Sequence, residues 1–522
     1  MEFFLCRDFT ISQASLLLAG CGFILVSLFC HVSGKTRWSL CFLVAGSFCL
    51  FLFSSLLDPF LNLWDERFHA LVAKNLMTHP FKPMLYADPV VDIPYDRWDR
   101  AYIWLNKQPF FLWPAAFFFH IFGVNEFALR LPSALAGSIL VLLAVRTGRL
   151  LVSDKTGYYA GFLFATAFYM MEIISGRQEL EHNDMAFLLW VSASIWAWVE
   201  YVRSRKRRWM IFLAVFSGVA ILVKWLVGLL VYLGWGVYIA FTRDRRKQEM
   251  VRLLLALSIT FAVAVPWYGY ILFNYPVEAA MTLQLYTAHL TMPLDGHDGN
   301  FWFHITNLPL LYGTLVTYLL IPALLVLYQK VTPKPVTISL ITMLIATYLF
   351  FSIAQTKMPS LPWVASLPVY ISIGTLMDAV IAWFHRIKAP RIVLFVSTFL
   401  SLAVIGYFNL GIPELAYKHT KDVKRNRLLG NLSHNKQIFL DLPEQLPDHS
   451  VVFNVKGRHY IECMFYSGFT SYPFIPSTSQ INDLHHQGRP VAIFQSSRDT
   501  LPESTWNNQG VFIIHKTLQG WD

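Results

Sequence analysis

The stretch "MIFLAVFSGVAILVKWLVGLLVYLGWGVYIAF", Met210–Phe241, carries a single charged residue, Lys224. Basic clusters bracket it, Arg203-Ser-Arg-Lys-Arg-Arg208 before and Arg243-Asp-Arg-Arg-Lys247 after. An ammonium group within a hydrocarbon layer is costly, so Lys224 has to face a polar cavity or snorkel to an interface. Read as two runs meeting at Lys224, residues 209–223 and 225–242, the stretch returns both basic clusters to one side of a membrane. Positive charge of this kind marks the cytoplasmic side. Lys224 then belongs to the opposite, extracytoplasmic side.

Composition supports a membrane reading of the whole chain. Of 522 residues, 55% are hydrophobic and only 14% charged, against about a quarter charged in a soluble domain. Apolar runs approaching the roughly 20 residues needed to cross a bilayer continue to about residue 411: 10–32, 38–57, 129–151, 157–175, 183–202, 209–223, 225–242, 250–273, 307–328, 336–354, 361–383 and 392–411. The expected fold is mostly α, a polytopic bundle of about 12–13 transmembrane helices. Twelve crossings place the clusters at 203–208, 243–247, 330–334 and 386–391 on the cytoplasmic side, together with Lys35 and Arg37. The segment 58–128, the loops 176–182 and 274–306, the turn at Lys357 and the C-terminal tail then share the other face. The first run follows an acidic residue and lacks a cleavage pattern, so it reads as a spanning helix and not as a signal peptide.

The formal charge of +10 sits in short clusters between apolar runs, so no nucleic-acid partner is expected. Five of the six cysteines crowd the first two apolar segments, which forms neither a disulfide framework nor a metal spacing. Segment 58–128 is too aromatic for a linker: "YDRWDRAYIWLNKQPFFLWPAAFFFHIFG", Tyr95–Gly123, mixes charges with rings as interfacial helices do. Its part Phe110–Phe122 is too short to cross alone. In the tail, "SVVFNV" (Ser450–Val455), "PVAIFQ" (Pro490–Gln495) and "GVFIIH" (Gly510–His515) predict strands of a small α/β domain over 412–522, apart from a membrane domain over 1–411.

The candidate chemistry lies in the extracytoplasmic segments. "SSLLDPFLNLWDERFHALVAKNL", Ser54–Leu76, sets Asp65 beside Glu66 after an apolar run. These carboxylates could cap the helix that follows, or serve as a base or a binder of sugar hydroxyls; both roles are compatible. "SGRQELEHNDMAF", Ser175–Phe187, adds Glu179, Glu181 and Asp184, with capping by Asn183 or Asp184 as the plainer reading. Lys107, Lys224 and Lys357 are cations on the face where positive charge is unusual, able to hold a lipid-linked phosphate. His289, His297 and His304, with Asp295 and Asp298, match no strong zinc spacing, and a mobile polar loop is the favoured reading.

The order of these pieces resembles the polyprenyl-phosphate-dependent glycosyltransferases of GT-C fold, in the branch of protein O-mannosyltransferases and bacterial aminoarabinose (lipid A) transferases. The resemblance runs through "WDER", "NKQPFFLWPAAFFFHIFGVNEFALRLPSALAG" (Asn106–Gly137), "HNDMAFLLW" (His182–Trp190), "GVAILVKWLVGLL" (Gly218–Leu230), "VPWYGYILFNYP" (Val265–Pro276), "GHDGNFWFHITNLP" (Gly296–Pro309) and "FFSIAQTKMPSLPWVASLP" (Phe350–Pro368). It covers most of residues 60–370.

This resemblance implies a membrane enzyme that uses a polyprenyl-phosphate sugar donor and a lipid, glycan or protein acceptor, within a bacterial inner membrane. It implies Asp65, Glu66 and Asp184 as catalytic residues, Lys107 and Lys357 on the donor phosphate, and His289 as a further candidate there. Tyr86, Trp98, Tyr102 and Lys224 are expected to line the cavity. The sequence departs from the family where Asn106-Lys-Gln-Pro109 replaces a common Glu-Lys-Pro-Pro, where 274–306 lacks Arg and Lys, and where two helices precede the acidic pair instead of one.

A phosphate-linked sugar is already activated, so the site needs a base and cations but not the paired acid and base of a glycosidase. No cofactor is required by that chemistry, and a divalent metal stays open. A lipid-linked sugar transporter or flippase is the alternative, but it calls for ionisable groups at the bilayer midplane and often internal repeats. No repeat is visible, and the polar groups gather at one face. A non-catalytic scaffold binding cell-wall components would leave the acidic and basic loops unexplained.

Overall fold

The computed structural model describes residues 9–93, 97–178, 181–242, 245–386, 389–420, 422–495 and 510–520. The chain opens with helices α1 (Ile11–Val32) and α2 (Thr36–Ser55), followed by α3 (Asp65–Leu76), a 3-10 turn at Pro109–Phe111, α4 (Leu112–Phe122) and α5 (Glu126–Leu151). Next come α6 (Asp154–Ala165), α7 (Phe168–Ile174), α8 (Glu181–Ser204), α9 (Arg207–Lys224), α10 (Leu230–Phe241), α11 (Arg246–Asn274) and α12 (Pro276–Thr291). Helices α13 (Phe303–Thr306), α14 (Leu308–Tyr312), α15 (Thr314–Lys330), α16 (Lys334–Ile353), α17 (Ser366–Phe384) and α18 (Arg391–Leu410) complete the apolar part. The tail holds α19 (Ile412–Thr420), α20 (Val423–Gln445), β1 (Val451–Phe453), α21 (His459–Ser467), β2 (Thr470–Ser471), α22 (Thr478–His486), β3 (Val491–Phe494) and β4 (Val511–Ile514). These elements form two compact units: Met1–Leu57, Lys107–Phe111 and Arg130–Glu414 in the first, and Asp58–Asn106, Leu112–Leu129 and Leu415–Asp522 in the second.

Among the described residues of the first unit, nine helical stretches are long and apolar enough to cross a membrane, or ten with the bent pair that joins Phe303–Tyr312 to Thr314–Lys330 at 108°. The chain is a multi-pass membrane protein. One stretch that length and composition alone would count once, Arg207–Phe241, is folded back on itself. Helix α9 stops at Lys224, Trp225 takes a positive φ of 61°, and the Ser217 hydroxyl donates to the Gly228 carbonyl at 2.6 Å. In a straight helix those residues would stand about 16 Å apart at 1.5 Å per residue. At the far end, Arg205 donates to the Tyr238 hydroxyl at 2.6 Å, so the close of α10 lies beside the start of α9. Lys224 is therefore at the tip of a helical hairpin, as two runs meeting there require.

The run 157–175 is also a return leg, but a broken one. A Cβ on Gly148 of α5 would lie 2.7 Å from the Gly157 Cα of α6, so these helices touch backbone to backbone at that end. A Cβ on Gly137 would meet the Ile174 side chain at 3.4 Å at the other. Between these contacts the helix breaks at Thr166 and Ala167, and neither half alone is long enough to span. Every apolar run read from the sequence is thus helical, with a break at Gly313 inside 307–328 and one at Thr166 and Ala167 that no Pro or Gly signals.

The second unit contains a four-stranded parallel sheet in the order β2-β1-β3-β4, with Val451 opposite Val491 and Val491 opposite Val511. Strands β1 and β3 are buried along their whole length, which is why both read as continuous apolar runs. The two-residue β2 is too short and too polar to announce itself. The first-loop helices α3 and α4 belong to this same unit. Asn75 of α3 donates to the carbonyls of Met84 at 2.9 Å and Leu85 at 3.2 Å, and Tyr472 next to β2 accepts from the backbone amides of Val90 and Val91 at 3.0 and 3.1 Å. Helix α4 buries Leu112, Ala115, Ala116 and Phe119 and exposes Phe117, Ile121 and Phe122. Its 11 residues reach about 16 Å, half of a bilayer's hydrocarbon thickness.

Candidate functional site

In the first unit, segments remote in sequence meet at the Lys224 end of the α9–α10 hairpin. Lys224 forms a salt bridge with Asp184, in the first turn of α8, and that carboxylate is almost fully buried. Two residues earlier on the same turn, the Nδ1 atom of His182 lies 3.0 Å from the Ser133 hydroxyl. From the 3-10 turn region, Gln108 accepts from the Trp267 indole at 2.8 Å and donates to the Tyr286 hydroxyl at 3.5 Å, while Trp225 stacks on the Tyr286 ring. These bonds hold Lys107 and Lys224 near α12, which carries His289. Burial, followed by the charges of Lys107 and then Lys224, pulls His289 from its ordinary 6.5 down to about 4. It is a neutral imidazole at pH 7, able to hydrogen-bond an anion without adding charge.

The turn after α16 closes this group. Thr356 bonds His289 twice, through its backbone amide to the His289 carbonyl at 3.1 Å and through its hydroxyl to Nδ1 at 3.0 Å. The Lys357 amide donates to the His297 carbonyl at 2.9 Å. The Lys357 ammonium itself turns inward to the carbonyls of Phe351, Ser352 and Ala354, capping the C-terminal end of α16, and burial lowers its pKa. In this arrangement its protons serve the helix end.

In the second unit, Asp65 and Glu66 form the first turn of α3, and both are buried. Glu66 accepts from the Asn62 backbone amide at 2.6 Å, a bond to the chain leading into α3, whereas the N-cap position, Trp64, makes no side-chain capping bond. Asn62 also donates to Asp58 at 3.3 Å, and Asp58 accepts two bonds from Arg425 of α20, at 2.9 and 2.7 Å. Arg67 meets Glu462 of α21 at 3.8 Å, and Glu462 bonds His459 at 2.5 Å. Helix α3 is thus tied at its start to two tail helices.

The residues expected to line a cavity separate into different environments. Tyr86 is fully buried and stacked on Tyr472, a packing residue of the second unit. Tyr102 accepts from Lys82 at 2.6 Å. Trp98 is half-buried and lies over the Arg458 guanidinium. Glu179 falls outside the described residues, as does the side chain of Glu181. Among the described residues, no group of three or more His, Cys, Asp or Glu side chains is arranged to hold a metal ion. Sequence reading passed over Gln108 and Arg458; a polar residue in place of the family's proline was the one signal for Gln108, and Arg458 had none.

Residues 106–270 match a family model described as dolichyl-phosphate-mannose-protein mannosyltransferase. Sequence relatives include an undecaprenyl phosphate-α-4-amino-4-deoxy-L-arabinose arabinosyl transferase of Pseudomonas fluorescens, 25% identical over 323 residues, which are 58% of this chain and 53% of that protein. A similarly named transferase of Pseudomonas aeruginosa is 27% identical over 313 residues, 57% of this chain and 52% of that protein. The chain spans about half the length of the sequence relatives it matches. Among solved structures, ArnT from Cupriavidus metallidurans bound to undecaprenyl phosphate superposes with a TM-score of 0.63 at 16% identity, covering 90% of this chain and 88% of that one. The apo oligosaccharyltransferase of Archaeoglobus fulgidus gives 0.57 at 13% identity, over 83% of this chain and 64% of that one. The protein therefore has the fold of the GT-C membrane glycosyltransferases. Its sequence resembles, within them, the branch of protein O-mannosyltransferases and aminoarabinose transferases, in agreement with the loops from which that resemblance was read.

Proposed function

We propose that this protein is an integral-membrane glycosyltransferase that moves a sugar from a polyprenyl-phosphate donor to a hydroxyl of a lipid, glycan or protein acceptor, with inversion. The reaction is placed at the extracytoplasmic face of a bacterial inner membrane. The observation that carries the reading is the convergence of Lys107, Lys224, His289 and Asp184 from separate segments at one end of the bundle. Two ammonium groups with a neutral imidazole suit a phosphate that gains charge as it leaves. The sequence relatives are named for an undecaprenyl-phosphate donor, and one structural neighbour holds that lipid's phosphate.

In this mechanism the acceptor oxygen attacks the anomeric carbon as the bond to the phosphate oxygen breaks. The bonding electrons leave with the polyprenyl phosphate, and the acceptor proton passes to Asp65. Glu66 holds the start of α3 and, with Asp184, orients sugar and acceptor. Lys107 and Lys224 stabilise the departing phosphate. No metal is assigned a step.

Transfer from a radiolabelled polyprenyl-phosphate sugar in proteoliposomes tests the assignment. Asp65→Asn should lower transfer by at least about a thousandfold, the scale of losing an essential base, while the protein still inserts and elutes as wild type. Lys107→Gln should weaken donor binding. A folded Asp65→Asn protein with wild-type transfer would remove Asp65 from the mechanism, and wild-type donor affinity in Lys107→Gln would remove the cation assignment.

A further inference from the structure

The second unit holds a cation site that the proposed mechanism leaves unused. Arg458 lies over two indoles, its guanidinium carbon 5.2 Å from the Trp64 ring centre and 5.3 Å from that of Trp98. Its Nε donates to Asp99 at 3.0 Å, which fixes the plane of the group. Asp99 is almost fully buried and also accepts two bonds from Arg97, at 3.0 and 2.7 Å. One carboxylate thus takes bonds from two guanidinium groups, and 20% of the Arg458 side chain and 51% of the Arg97 side chain stay exposed. Neither Nη group of Arg458 has a hydrogen-bond acceptor among the described residues.

The backbone points the same way. Trp64 and Arg458 both adopt positive φ, 68° and 64°, which costs a side-chain-bearing residue about 1 kcal/mol or more. They come from segments almost four hundred residues apart, and their side chains stack on each other. Trp64 remains 40% exposed and directly precedes Asp65. Burying this ring would satisfy packing better than holding it open, whereas a stacked guanidinium with free Nη edges is a preorganised receptor for a tetrahedral oxyanion.

We infer that Trp64, Trp98 and Arg458 form a clamp that binds a phosphate group of a substrate. The inference rests on the reading of this chain as a glycosyltransferase only in calling the ligand a substrate. Two sources offer that chemistry, the polyprenyl-phosphate donor and a phosphorylated glycolipid acceptor.

Binding to the full-length protein in nanodiscs, measured by native mass spectrometry, separates them. The probes are undecaprenyl phosphate with its free alcohol, and a phosphorylated disaccharide glycolipid with its dephosphorylated form. Arg458→Gln should weaken at least one phosphorylated probe about tenfold or more, the value of charged hydrogen bonds, and leave the phosphate-free partners unchanged. Loss for undecaprenyl phosphate alone assigns the clamp to the donor, and loss for the glycolipid alone assigns it to the acceptor. Arg458→Lys, which keeps the ion pair with Asp99 but not the planar fork, should lose at least about threefold and serves if the glutamine variant does not fold. Unchanged binding of both phosphorylated probes overturns the clamp, as does wild-type protein without preference for phosphate. Phosphate binding through Arg458 in a protein that transfers no sugar would sink the proposed function and keep the clamp; transfer that ignores Arg458 would do the reverse.

Discussion

The helical bundle and the loop-and-tail unit use charge in opposite ways. In the bundle, charge collects where helices end: Asp184 and Lys224 at one hairpin tip, and Glu249 at the start of α11, held by Tyr201, Arg205 and Arg252 at 2.9, 3.0 and 2.8 Å. In the second unit, ion pairs run through the interior and fasten one element to another, as Arg67 with Glu462 and Asp58 with Arg425 do. Hydrocarbon makes mid-helix charge costly, so a bundle can present chemistry only at its helix termini. A mixed α/β unit has polar partners throughout and can spend ion pairs on holding α3 in place.

This contrast is open to attack at four points. The largest effect is expected for Lys224→Met, which leaves the buried Asp184 carboxylate unpaired and should cost about 3 kcal/mol or more. Thermal unfolding in detergent should show that loss, and Asp184→Asn added to the same protein should restore most of it. Equal stability of Lys224→Met and wild type would mean that the tip charge is solvated and not held by its pair.

Next, Glu462→Gln leaves Arg67 without its anion in the interior of the second unit. A loss of about 2–3 kcal/mol is expected, with sugar transfer slowed more than donor affinity, because α3 loosens while the bundle cations stay in place. A parallel fall in donor binding would show that the two regions do not divide these tasks. Third, Gly148→Val inserts methyl groups where α5 and α6 touch, and overpacking of this kind costs about 1–3 kcal/mol. Its melting point should fall without a change in donor affinity.

The smallest effect is expected at His289. As it is neutral above about pH 5, His289→Gln should retain transfer within about threefold at pH 7, and the pH profile between 6 and 8 should keep its shape. The sign in acid follows from linkage. The folded imidazole is depressed from 6.5 to about 4, so the unfolded chain takes up the proton first, and stability is lost as pH falls from about 6.5 toward 4. The glutamine variant should lose less stability over that window.

Much of the scaffold was legible because hydropathy is a local property. The apolar runs, the acidic first turn of α3 and three of the four strands each follow from a few neighbouring residues. What was not legible depends on pairing across the chain. Lys224 looked equally like a snorkelling residue and a cavity residue until Asp184, 40 positions away, was found against it. Lys357 looked like a phosphate ligand, yet its protons are taken by the carbonyls that end α16. Tyr86, read as a cavity wall, is packed out of reach against Tyr472. The break inside 157–175 has no local signal, since Thr166 and Ala167 are neither Pro nor Gly.

The sequence by itself determined that this protein crosses a membrane many times and where its carboxylates and lysines stand along the chain, because apolar length and charge asymmetry act residue by residue. Only the tertiary structure decided which of those groups meet. It turned one apolar stretch into a hairpin with Lys224 at its tip, bonded Glu66 to the Asn62 amide, and set Arg458 over Trp64 and Trp98. Such pairings depend on backbone reversals and long-range packing, and no local pattern of residues encodes them.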